Sequence, residues 1–378
     1  MEGLNRSCSR CILSGSFPRI QFDDAGVCSV CRDYDQWTKE WKLRMPQNRK
    51  NLEKICKAAK AKNKHFDALI PLSGGKDSTY VLYVASQQLE LKCLAYTLDF
   101  GYLSDYAKRN IENTCRKLGV EHVYYRFNSD LMNRLFALFI RKTGWFCFVC
   151  MRAIGMSQSM VWKMYDTPLV ITGSSLRTEL PLSREMFQDG RVSHVSSVLE
   201  GESIASECRR LLDGSNLSRK MGHVLFLLSK KKRLFTYARF NFADYVEWNY
   251  DIIYDTIRKE LGWQSPIDGE HMDCIVHPIQ KYIQNRRFPG LEQERLVLAR
   301  LVMAGQISRE EALQRMNKPV DKCPESVLDM FLKNIDMSKE EFDNYIDMGP
   351  RHLDYDKPSD LATRVVMKVF PQRQAGAY

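Results

Sequence analysis

Leu69-Ile-Pro-Leu-Ser-Gly-Gly-Lys-Asp-Ser-Thr-Tyr-Val-Leu-Tyr83 runs from a short apolar strand through a Gly-Gly turn into an amphipathic helix. This pattern makes a phosphate cradle. Gly74 and Gly75 allow a tight turn that brings backbone N–H groups against an anion, and the dipole of the helix opening near Asp77 favours negative charge there. Ser73 and Ser78 add hydroxyl donors, Lys76 is a candidate counter-charge, and the Asp77 carboxylate suits Mg²⁺ held between phosphates. An ordinary strand–turn–helix needs only the two glycines, not the Ser, Lys, Asp and Ser around them.

The spacing excludes a Walker A loop, which has four residues between its glycines and Lys-Ser/Thr after the second. Ser73-Gly-Gly-Lys-Asp-Ser78 instead resembles the SGGxDS signature of the PP-loop ATP pyrophosphatases. That resemblance implies cleavage of ATP between its α- and β-phosphates, adenylation of a carbonyl or carboxyl oxygen, and displacement of AMP by ammonia or sulfur.

Outward from the loop, strand and helix patterns alternate. Strands are expected at 68–72, 92–99, 122–126 and 169–172, with helices at 78–88, 107–118 and from 130 onward. The fold class is therefore α/β, a doubly wound and mostly parallel sheet whose ligands lie at the carboxyl ends of the strands. Asp99-Phe-Gly101 and Thr172-Gly-Ser-Ser175 close two of these strands. In PP-loop families such ends line the nucleotide pocket, so Leu98, Asp99 and Gly173 are candidate adenosine contacts beside plain strand termination.

Ahead of the sheet, Cys8-Ser-Arg-Cys11 and Cys28-Ser-Val-Cys31 are separated by sixteen residues. Two Cys-x-x-Cys knuckles at this spacing predict a closed, structural Zn²⁺ site in a small ribbon with a turn at 23–26. Residues 34–64, with Trp37 and Trp41 one turn apart, read as a basic helical connector. A third pair, Cys147-Phe-Val-Cys150, precedes a helix. Two thiolates do not complete a metal site, and Cys274 is the best candidate for a third; a buried packing pair beside Trp145 and Phe148 is the alternative. Cys56, Cys93, Cys115, Cys208 and Cys323 read as small hydrophobes.

Beyond Pro181 long helical stretches are expected, with a polar segment at 188–218, a basic run Lys230-Lys-Lys-Arg233 that reads as a solvated face, and serine-capped helix starts at Ser308 and Ser338. The resulting division is a zinc ribbon at 1–40, a PP-loop domain with its connector at 41–183 and a mainly helical domain at 184–378. The net charge of +10 suits a phosphate-bearing partner, either nucleotide-linked or RNA. Neither a leader nor a membrane-length apolar run is apparent, which predicts a cytoplasmic protein without membrane insertion.

Together, the cysteine pairs around Phe22-Asp-Asp-Ala-Gly-Val-Cys-Ser-Val-Cys31, the SGGKDS loop, Cys147-x-x-Cys150, Leu261-Gly-Trp263, Asp273-Cys274 and the 305–312 segment resemble the N-acetyl sugar amidotransferases of surface-polysaccharide biosynthesis. The resemblance implies that ATP and Mg²⁺ activate the acetamido group of a nucleotide-linked sugar, and that ammonia from a separate glutaminase and synthase-like pair makes it an acetamidino group. Met151 stands where relatives often have His. The rival expectation is a tRNA- or metabolite-thiolating enzyme in which Cys147, Cys150 and Cys274 hold a 4Fe–4S cluster.

Overall fold

The computed structural model describes residues 6–17, 20–174, 198–199, 201–207, 238–265, 273–287, 290, 292–317 and 323–347. Its centre is a five-stranded sheet of β1 (Ala68–Pro71), β2 (Cys93–Leu98), β3 (Glu121–Tyr125), β4 (Leu169–Thr172) and β5 (Ala238–Asn241), in the order β3-β2-β1-β4-β5. Every neighbouring pair is parallel. β2 and β4 are buried at every position, as expected of strands covered on both faces.

Side chains alternate between two cores with a period of two residues. Leu69, Leu94, Tyr96, Leu98 and Val170 join one core, whereas Ala68, Ile70, Cys93, Ala95, Leu169 and Ile171 join the other. The second core is covered by α1 (Ser29–Lys60), α2 (Lys76–Tyr83), α3 (Asp105–Leu118) and, from further along the chain, the helix Tyr250–Leu261. The first takes α4 (Ser129–Thr143) and α5 (Cys147–Tyr165). Right-handed crossovers require this split, because the chain moves one way from β1 to β3 and then crosses back to β4. Between β1 and β4 the connections leave in opposite directions. That crevice is the topological switch point.

The first four strands and the helices joining them agree with the sequence pattern to within two or three residues, and α2 ends in a π-helical turn at Val84–Gln88. The connector helix starts earlier than expected, at Ser29 directly after Cys28. β5 is a strand beyond Pro181, in the region expected to be mainly helical. It pairs with β4 from Leu169 opposite Ala238 to Thr172 opposite Asn241, so the sheet draws on residues beyond the boundary expected at 183/184. Further helices among the described residues are α6 (Tyr250–Leu261), α7 (His277–Arg287), α8 (Gln293–Met303), α9 (Arg309–Met316), α10 (Glu325–Asn334) and α11 (Lys339–Asp347). The two serine caps form as expected: Ser308 accepts from the Glu311 N–H and Ser338 from the Glu341 N–H, both at 3.0 Å. The basic run 230–233, Cys208 and most of 188–218 lie outside the described residues. Among the described residues, no helix is long and apolar enough to cross a membrane.

Candidate active site at the sheet switch point

The loop after β1 sits in the crevice between β1 and β4. Gly74 has φ +80°, and a Cβ there would lie 2.5 Å from the Ala107 carbonyl oxygen and 2.8 Å from its Cα, so only glycine lets the loop seat on α3. Gly75 is the extended residue before α2, and its carbonyl accepts the first intrahelical bond, from the Thr79 N–H at 3.1 Å. The first N–H groups of a helix lack intrahelical partners, which leaves the opening of α2 suited to an anion.

Hydroxyls organise the same turn. Ser78 Oγ lies 3.3 Å from Ser73 Oγ, accepts the Ser73 N–H at 3.2 Å and donates to the Gly75 carbonyl at 3.2 Å. The Gly75 N–H reaches Ser73 Oγ at 3.3 Å. Lys76 Nζ lies 3.3 Å from Asp77 Oδ2 and 4.5 Å from the centre of the Tyr250 ring, so its charge is set between the loop carboxylate and the start of α6. These residues bring donors, a cation and a carboxylate to one turn.

β4 closes the other side. A Cβ on Gly173 would lie 3.0 Å from the Asp77 carbonyl carbon and 3.1 Å from the Ser78 nitrogen, so this strand end abuts the opening of α2. Leu98 ends β2 with its side chain in the core. Asp99 is committed to local bonds: Oδ1 accepts the Gly101 N–H at 2.8 Å, and Oδ2 pairs with Arg126. That geometry shapes the turn after β2. Beneath the loop, Thr97 Oγ1 donates to the Leu72 carbonyl at 2.5 Å and therefore accepts the Nε2–H of His122 at 2.8 Å. Burial pushes the His122 pKa down to about 4, which keeps that imidazole neutral.

Sequence reasoning missed two residues that grip the loop. The Trp263 indole N–H donates to the Gly74 carbonyl at 2.8 Å, and Asn110 Nδ2 approaches the same oxygen at 3.2 Å. Asn110 also brackets Gln264, donating to its carbonyl at 2.7 Å and accepting its N–H at 3.0 Å. Leu261-Gly-Trp263 contributed to the resemblance, but contacts across 189 residues leave no local signal.

Cys147 opens α5, and a helix leading into a parallel strand begins at the strands' carboxyl edge. Cys274 comes to that edge by a separate route: it forms an antiparallel bridge with Leu103, while the Ile275 N–H donates to the Tyr102 carbonyl at 2.9 Å. Burial raises the pKa of all three thiols, that of Cys274 to about 12, and the nearness of Cys274 raises those of Cys147 and Cys150 further. The three half-buried cysteines thus pack against the same core. Their sulfurs do not all come within 4.8 Å of one another, a criterion that only Cys8, Cys11, Cys28 and Cys31 meet among the described residues. Cys56, Cys93 and Cys115 are buried in the other core, as small hydrophobes are.

The N-terminal cluster fits a tetrahedral ion. Cys8 and Cys31 sulfurs are 3.9 Å apart and those of Cys11 and Cys28 3.8 Å; bonds of about 2.3 Å to one Zn²⁺ give an edge of roughly 3.8 Å. Backbone N–H groups of Arg10 and Cys11 point at Cys8 sulfur at 3.4 Å, and that of Cys28 at 3.3 Å. Such donors stabilise thiolates. The turn at 23–26 forms, with the Gly26 N–H on the Asp23 carbonyl at 2.9 Å. Arg309 binds the Cys8 and Cys11 carbonyls at 3.3 and 3.0 Å, and the ribbon packs on α8 and α9.

An uncharacterized protein of Methanocaldococcus jannaschii is 21% identical over 332 residues, covering 85% of this chain and 95% of that protein. Among solved structures, the chain matches the U34-tRNA thiolase NcsA from Methanococcus maripaludis with its 4Fe–4S cluster at 14% identity, 85% of this chain, 92% of that chain and a TM-score of 0.34. It also matches an NH3-dependent NAD synthetase from Campylobacter jejuni in complex with nitrate, at 15% identity, 61% of this chain, 99% of that chain and a TM-score of 0.28. Residues 236–369 match the family of the LPS biosynthesis protein WbpG-like, C-terminal domain. Over its last third the chain is thus similar to the C-terminal domain of WbpG-like lipopolysaccharide-biosynthesis proteins, in agreement with the N-acetyl sugar amidotransferases that its motifs resemble.

Proposed function

We propose that this chain is an ATP-dependent, AMP- and pyrophosphate-forming amidotransferase acting on a nucleotide-linked N-acetyl sugar. The observation carrying this reading is the joining of an SGGKDS loop, seated at the switch point of a parallel sheet, to a WbpG-like C-terminal domain. An acetamide oxygen is a poor leaving group. In the proposed reaction it attacks the α-phosphorus of ATP, the bond to the β-phosphate oxygen breaks, and pyrophosphate departs.

Ser73, Ser78 and the amides of Gly74, Gly75 and α2 hold the phosphate chain and stabilise the charge that grows on pyrophosphate. Lys76 supplies counter-charge, Asp77 would hold Mg²⁺, and Leu98, Asp99 and Gly173 border the adenosine. Ammonia then adds to the activated carbon, loses protons to the surroundings, and expels AMP carrying the former acetamide oxygen. A separate glutaminase supplies the ammonia, in the cytoplasm where nucleotide sugars are made.

A second reading rests on the shared neighbourhood of Cys147, Cys150 and Cys274 at the carboxyl edge of the sheet. There the three thiolates would hold a 4Fe–4S cluster with one open iron, and the adenylated oxygen, on tRNA or a metabolite, would be displaced by sulfur. Nucleotide products and metal content separate the two. AMP formation that depends on ammonium and a nucleotide-linked N-acetyl sugar, with about one zinc per chain and no iron after anaerobic purification, supports the amidotransferase; iron with acid-labile sulfide supports thiolation.

A further inference from the structure

We infer that Trp263 and Asn110 are positioning residues for the phosphate loop, through which the WbpG-like C-terminal domain sets the shape of the nucleotide site. This inference rests on reading the loop as an ATP cradle. Trp263 lies within the matched segment 236–369, whereas Gly74 belongs to the switch-point loop and Asn110 to α3. The three meet at one atom, the Gly74 carbonyl oxygen, which accepts the indole N–H at 2.8 Å and the Asn110 carboxamide at 3.2 Å.

A loop that receives phosphates must turn its N–H groups toward the anion and its carbonyls away. A carbonyl facing the pocket repels the ligand. The Gly74–Gly75 peptide is planar and trans, so holding its carbonyl on the Trp263 side turns the Gly75 N–H to the opposite side, where it meets Ser73 Oγ. Glycine at φ +80° has no side chain to bias that peptide, so hydrogen bonds orient it, Ser73 Oγ from within the loop and Trp263 and Asn110 from outside it.

The holder is itself rigid. Gly262 ends α6 in a left-handed turn, with its N–H on the Arg258 carbonyl at 3.0 Å and the Trp263 N–H on the Ile257 carbonyl at 3.2 Å. That turn delivers a buried indole, packed 5.7 Å from the Tyr254 ring, to the loop. Asn110 is 4% exposed, and its paired bonds to the Gln264 backbone clamp the same turn onto α3.

Trp263→Phe keeps an aromatic ring against Tyr254 and removes the N–H. The test measures binding of ATP, pyrophosphate and adenosine to the full chain by calorimetry, alongside thermal unfolding. The expected result is roughly three- to tenfold weaker ATP and pyrophosphate binding, the worth of one hydrogen bond, with adenosine binding unchanged. Asn110→Leu should do the same, and serves as the second variant if Trp263→Phe does not fold. Phosphate-chain binding equal to wild type, or equal losses for ATP and adenosine, overturns the inference. Wild-type protein that binds neither ATP nor pyrophosphate overturns the cradle reading itself, a different failure.

Discussion

Gly74→Ala tests whether the loop is held where the sheet puts it. An alanine at φ +80° takes on left-handed strain of about 1–2 kcal/mol. Its Cβ would also stand 2.5 Å from the Ala107 carbonyl oxygen and 2.8 Å from Ala107 Cα, both backbone atoms of a helix that cannot rotate aside. Forcing a methyl into such a contact typically costs about 1–3 kcal/mol, so the total is roughly 2–5 kcal/mol. Gly101 supplies the control: its φ is +87°, yet nothing lies within 4 Å of where a methyl would stand. Gly101→Ala should therefore carry the strain alone, about 1–2 kcal/mol. Urea denaturation of wild type and both variants reads the two costs from the midpoints at constant slope. Gly74→Ala should be the less stable variant by about 1–3 kcal/mol. Equal destabilisation would show that the loop does not rest on α3, and the cradle geometry would go with it.

Cys28→Ser should release zinc and lower the unfolding temperature, because a four-thiolate site contributes directly to folding; an equally stable, zinc-free variant would show that the N-terminal cysteines hold no metal. Asp77→Asn should leave the unfolding temperature near wild type while removing most AMP formation, and wild-type pyrophosphate release would count against a Mg²⁺-directed role. His122 links the site to pH: its folded pKa of about 4 lies below the ordinary 6.5, so the folded state binds fewer protons than the unfolded. The stability it brings is complete above about pH 6.5 and declines as pH falls toward 4. In His122→Gln, denaturation midpoints should depend less on pH across that window; an unchanged slope would refute a buried neutral imidazole.

Local chemistry made much of this architecture legible. Glycines, serines and a strand-to-helix switch identified the loop because a tight turn and an anion both need those residue types in that order. Paired knuckles identified the ribbon, since two Cys-x-x-Cys turns are the shortest way to bring four sulfurs to one centre. Strands buried on both faces were legible as apolar runs. β5 was not: Ala238-Arg-Phe-Asn241 is four residues long, alternates weakly, and becomes a strand only by pairing with β4. The grip of Trp263 and Asn110 on the loop was invisible for a related reason: Leu261-Gly-Trp263 entered only through the resemblance, Asn110 lies in no motif, and their role arises from a carbonyl elsewhere in the chain. Asp99 shows the converse case. A polar residue at a strand's carboxyl end is legible as a candidate ligand contact, but the bonds of its carboxylate to Arg126 and the Gly101 N–H are not.

The most direct measurement follows one oxygen atom. Nucleotide-linked N-acetyl sugar carrying heavy oxygen in its acetamido carbonyl is incubated with the protein, ATP, Mg²⁺ and ammonium, and the nucleotide products are analysed by mass spectrometry. Activation by adenylation requires the label to leave the sugar and appear in AMP, in step with formation of the acetamidino product. Label retained in the sugar while AMP forms, or release of ADP in place of AMP, would contradict the proposed reaction.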